Sequence, residues 1–66
     1  MLIHAFVEWE LEKFRKECNF TDEELSFFNL RAKNKTIEAT AEAMDISVGK
    51  ANKLSRIVKE KIMKVS

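Results

Sequence analysis

One stretch, residues 36–64, reads TIEATAEAMDISVGKANKLSRIVKEKIMK and constrains the fold more than any other. Apolar residues recur three and four apart on either side of a break at Asp45 and Ile46, which is the spacing of one helix, a tight turn and a second helix. The first helix is predicted over Ile37–Met44, with Ile37, Thr40, Ala41 and Met44 inward and Glu38 and Glu42 outward. Thr36 and Ser47 stand where side-chain hydroxyls cap helix starts. In the second helix Ala51, Leu54, Val58, Ile62 and Val65 fall within about a quarter of the circumference at about 100° per residue. Gly49, Asn52, Lys53, Arg56 and Lys59 take the opposite side.

The remainder reads as support for that second helix. Proline is absent, glycine occurs once and no alternating pattern competes, so the predicted class is all-α, with four helices in one domain over 1–66. A chain of 66 residues buries only ~60% of its unfolded surface. A single cysteine, Cys18, and a single histidine, His4, leave no disulfide or metal framework to staple it, so self-association or a larger partner is expected. The cysteine usage points to a reducing compartment, and the apolar runs fall far short of the ~20 residues that span a bilayer. The expected setting is cytoplasmic.

Helix 1 is predicted over 2–16 or 2–18, with two apolar stripes. Ile3, Val7, Leu11, Phe14 and Cys18 run its whole length. Leu2, Phe6 and Trp9 form a second stripe over its first half. Either a small core takes both, or the second is a dimer or partner surface. Helix 2 has the clearest start in the chain: Thr21 with Glu24 three residues on makes a capping box, flanked by Phe20 and Leu25 at the hydrophobic staple positions. Leu25, Phe28 and Ala32 lie on one side and Phe27 and Leu30 nearly opposite, so helix 2 is expected to be the central element. Asn34 stands where a left-handed residue closes a helix.

Charge is unevenly placed. Residues 1–30 carry three basic and seven acidic groups, whereas residues 46–66 carry six basic groups against Glu60. Such asymmetry suits a C-terminal helix that faces a polyanion.

The run FTDEELSFFNLRAKNKTIEATAEAMDISVGKANKLSRIVKEKI, about two thirds of the chain, resembles the helix-turn-helix DNA-binding domain shared by LuxR-type regulators and region four of bacterial sigma factors. The resemblance rests on the opening Thr21 to Glu24, on Phe27, Phe28 and Leu30, on Thr36 and Ala41, and on the turn from Ile46 to Gly49. It departs at Asn34 and Asp45, where the family has glycine, at Thr40, where it has an aliphatic, at Ala51, where it has a larger aliphatic, and at Lys50, where it has threonine. The choices at Thr40 and Ala51 suggest a looser contact between the third and fourth helices.

The resemblance implies a helix-turn-helix unit over 21–64, with the second helix of the motif (about 47–64) in the major groove of double-stranded DNA and the preceding helix across the backbone. It assigns Asn52, Lys53 and Arg56 to base edges, with Gly49 allowing close backbone approach. Lys50, Ser47, Thr36 and Lys35 are expected on phosphates, with Lys33 and Lys59 as further candidates. One module buries only ~600 to 1,000 Å² on DNA, so a homodimer or attachment to RNA polymerase is expected in a small bacterial or phage transcription regulator. The alternative is a helical protein-interaction module of the transcription machinery that keeps the fold without reading DNA. No enzyme, cofactor or small-molecule substrate is expected, because His4 has no triad and Cys18 no second metal ligand. His4 reads as a surface residue and Cys18 as a buried small hydrophobe. Membrane binding fits poorly, since the polar face of helix 1 is acidic.

Overall fold

The computed structural model describes residues 6–65, and over them the chain forms four helices: α1 (Glu8–Glu17), α2 (Asp22–Ala32), α3 (Ile37–Met44) and α4 (Val48–Val65). At ~1.5 Å per residue the 18 residues of α4 span ~27 Å. That matches the longest extent of the molecule, 28 Å. The other three helices all pack on α4. The central element is therefore α4 and not α2, as the two-sided apolar pattern of α2 had suggested. α2 packs on α3 and α4 and meets α1 through a smaller contact at Phe28 and Asn29.

The core joins Phe27 and Phe28 of α2 to Ala51, Leu54, Val58 and Ile62 of α4, with Leu11, Phe14 and Cys18 closing one side and Ala41 the other. Phe27 and Phe28 are adjacent, ~100° apart on the helix, and both are fully buried, so α2 does present two faces. Fully burying a side chain of this size is worth ~1.5–3 kcal/mol. Two such residues side by side make α2 the largest aromatic contributor to the core.

Helix ends follow local chemistry. The Thr21 hydroxyl accepts the Glu24 N–H at 3.2 Å while the Glu24 carboxylate accepts the Thr21 N–H at 3.1 Å, the expected capping box. Thr36 accepts from the Ala39 N–H and Ser47 from the Lys50 N–H, each at 3.1 Å. Asn34 and Asp45 take left-handed backbone, φ 64° and 56°, where asparagine and aspartate are tolerated in place of glycine. At Asp45 this produces a Schellman closure: the Ile46 N–H reaches the Ala41 carbonyl and the Asp45 N–H that of Glu42. The chain thus leaves α3 and enters α4 within three residues.

Helix 1 departs from expectation. Val7 is extended at φ −78°, ψ 165°, and α1 begins at Glu8. Valine has no side-chain acceptor, so the start rests on the Glu10 carboxylate accepting the Val7 N–H. Phe6 therefore precedes the helix and packs inward on Phe14, ring centroids 4.9 Å apart. Trp9 remains 68% exposed. The expected stripe of Leu2, Phe6 and Trp9 is not one helix face, because a break separates Phe6 from Trp9; Leu2, Ile3 and His4 lie outside the described residues. The other stripe holds from Leu11 through Phe14 to Cys18, all buried, whereas Val7 is exposed.

The contact of α3 with α4 is not loosened by its small and polar residues. Thr40, Ala41 and Ala51 are almost completely buried, and small side chains let the two helices approach closely. The cost lies elsewhere: Thr40 Oγ1 is the one buried side-chain polar atom without a hydrogen-bond partner among the described residues.

Candidate nucleic-acid interface

Position on α4 follows from its buried stripe. With Ala51, Leu54, Val58 and Ile62 fixed inward, residues half a turn away must face out, and Gly49, Asn52, Lys53 and Arg56 are all exposed. These four line one shallow depression on the first half of the helix. They share a face because positions i, i+3, i+4 and i+7 are neighbours on an α-helix. A Cβ added at Gly49 would meet nothing nearer than Ser47 Oγ at 3.9 Å, so the fold itself does not require glycine there. Beside it Val48 is 43% exposed and adds an aliphatic group next to the polar ones.

Among the described residues no carboxylate pairs with Lys53, Arg56 or Lys59. Lys53 and Arg56 are open to solvent, whereas Lys59 is half-buried at the flank of the face. An uncompensated ammonium and guanidinium beside a carboxamide can meet phosphates or base edges, with arginine able to pair two acceptors at once.

Other expected contacts are engaged differently. Lys50 is in an ion pair, its Nζ 2.9 Å from Glu23 Oε2 of α2, so it is not a free phosphate ligand. The pair arises because α2 packs on α4 with its acidic first turn between Lys50 and Lys61, so that neighbouring carboxylates reach one lysine on either side. The Thr36 and Ser47 hydroxyl oxygens accept from their own helix starts, which leaves their O–H groups able to donate. Lys35 is exposed at the approach to α3, and its carbonyl accepts from the Arg31 guanidinium. Lys33, also exposed, helps line an open groove between α1 and α2, away from the four-residue face.

Toward the other end of α4, Lys61 binds the buried Glu24 carboxylate and reaches the Asn19 carbonyl. The hydrogen bond from Lys61, with those from the Thr21 backbone, holds the Glu24 carboxyl below its ordinary range although burial opposes this. Two of the six cations in residues 46–66, Lys50 and Lys61, are thus matched by α2 carboxylates, and Lys53 and Arg56 are among the four that are not. Pairings between residues so distant in sequence leave no periodic signal. Cys18 is buried, and desolvation followed by the charge of Glu17 raises its thiol pKa against the opposing influence of Lys61.

Among the described residues no three His, Cys, Asp or Glu side chains gather as a metal site, and no helix is long and apolar enough to cross a membrane. Compared with protein-family models, with curated proteins and with solved structures, the chain has no match.

Proposed function

We propose that this chain binds double-stranded DNA in a sequence-dependent way, as a small transcription regulator of helix-turn-helix type. In this reading α4 lies in the major groove and α3 crosses the backbone. The observation that carries the reading is the face formed by Gly49, Asn52, Lys53 and Arg56, exposed together and free of acidic partners at the start of a helix reached by a short turn. The resemblance to LuxR-type and sigma region four domains supports it. Asn52 would read adenine and Arg56 guanine, with Lys53 on either a base or a phosphate. Ser47, Thr36 and Lys35 would hold the backbone, and Lys59 would add charge at the flank. A single copy would bind weakly, so two copies or attachment to RNA polymerase would give a useful affinity.

Fluorescence anisotropy with a labelled random duplex over a salt series tests this. The expected result is binding at low salt whose logarithm falls linearly with log salt. Replacing Lys53 and Arg56 by Ala should abolish that binding without loss of helix content. Undetectable binding at low salt, or binding indifferent to salt, rejects the reading. The competing reading, a protein-interaction module, is favoured by one observation: Trp9 stands 68% exposed on the acidic α1. It gains if DNA binding is absent and Trp9 fluorescence shifts with a protein partner.

A further inference from the structure

Glu23 and Glu24 are neighbours on the first turn of α2, and each pairs with a lysine of α4, but their surroundings differ. Glu24 is buried, accepts the Thr21 N–H and binds Lys61, so it builds the fold. Glu23 has one polar partner among the described residues, Lys50, and the two side chains are 43% and 51% exposed. It takes no part in the capping box. An ion pair this exposed contributes little to stability. It lies at the start of α4, where Lys50 directly follows Gly49.

Resting on the DNA reading, we propose that Glu23 is a specificity-determining residue: it holds Lys50 away from the DNA backbone and so limits sequence-independent affinity. Phosphate contacts raise affinity for every sequence alike, whereas base contacts discriminate. A carboxylate that occupies a lysine beside the groove face removes one phosphate contact. Asn52 and Arg56 are untouched by this. Discrimination therefore rises as non-specific binding falls.

The test compares the wild-type chain with Glu23→Gln, Lys50→Gln and the double variant, using a labelled random duplex over a salt series. Glu23→Gln keeps the side chain's shape, and circular dichroism should show unchanged helix content in all four proteins. Release of Lys50 should steepen the slope of log K against log salt by about 0.9 in Glu23→Gln and tighten low-salt binding several-fold. Lys50→Gln alone should leave the wild-type slope, and the double variant should return to it. Equal slopes for wild type and Glu23→Gln overturn the proposal. So does a steepening that persists in the double variant, since the effect would then be loss of a negative charge rather than release of Lys50. Those failures occur with a wild-type chain that binds DNA; a wild-type chain that does not bind removes the DNA reading itself and this proposal with it.

Discussion

Two short helices, α1 with 10 residues and α3 with 8, dock on the rest of the fold by opposite means. α1 starts without a side-chain cap and is held by a few large groups. Phe14 sits between the rings of Phe6 and Phe28, with centroids at 4.9 and 6.5 Å, and Arg15 Nε donates to Asn29 Oδ1 of α2 at 2.9 Å. An open groove remains between α1 and α2. α3, by contrast, is closed at both ends by Thr36 and Asp45 and meets α4 through small side chains. Contact by a few large groups concentrates stability in single residues. Close contact by small ones spreads it over the backbone and leaves only chemical mismatches to improve.

The most severe way to break this comparison is Phe14→Ala. Truncating a buried phenylalanine costs ~3–5 kcal/mol, and here it would empty the space between Phe6 and Phe28. In a domain of this size such a loss is expected to detach α1 or unfold the chain. Urea denaturation followed by circular dichroism measures it. A loss below ~1 kcal/mol, small for a buried phenylalanine, would mean that α1 is not anchored through Phe14 and that the contrast with α3 is false.

The contrast also separates what was readable in the sequence from what was not. The caps at Thr21, Thr36 and Ser47, the left-handed Asn34 and Asp45, and the stripe through Ala51, Leu54, Val58 and Ile62 depend on neighbours within one or two helical turns, and all were legible. The outward placement of Gly49, Asn52, Lys53 and Arg56 followed from that stripe. The start of α1 was not legible, because its apolar periodicity continues across Phe6 and Val7, and the only contrary sign is the absence of a capping side chain at Val7. The left-handed Asn19, φ 52°, was likewise not anticipated. The ion pairs of Lys50 and Lys61 with Glu23 and Glu24 depend on how α2 lies along α4. That crossing is tertiary, and neither period nor composition encodes it.

Between the extremes stands Glu24→Gln, which sharpens the role of α2 as the link between the two docked helices. Glutamine can still accept the Thr21 N–H, so the change isolates the charge that binds Lys61. An expected loss of about 1–2 kcal/mol at neutral pH reflects a charged hydrogen bond at a buried carboxylate whose partner is half-exposed. The folded-state pKa of Glu24 lies below its ordinary value of 4.5, so its contribution is complete above that value and is lost as pH falls through the folded-state pKa. Wild type and Glu24→Gln should therefore converge in stability in acid. A difference that stays constant on acidification would assign the effect to packing rather than charge.

The smallest effect has the opposite sign and lies on the α3 side. Thr40 is completely buried where α3 meets its neighbours, and its Oγ1 is without a partner. Thr40→Val replaces that hydroxyl by a methyl of similar size, removing the penalty of a buried polar atom without opening a cavity. A gain of ~1 kcal/mol is expected, read as a higher urea midpoint with an unchanged slope. Anisotropy with the same duplex should be unaltered if Thr40 serves packing alone. A loss of stability would mean that the hydroxyl is satisfied in solution by a buried water, and the small-residue contact between α3 and α4 would then owe part of its strength to a polar bridge.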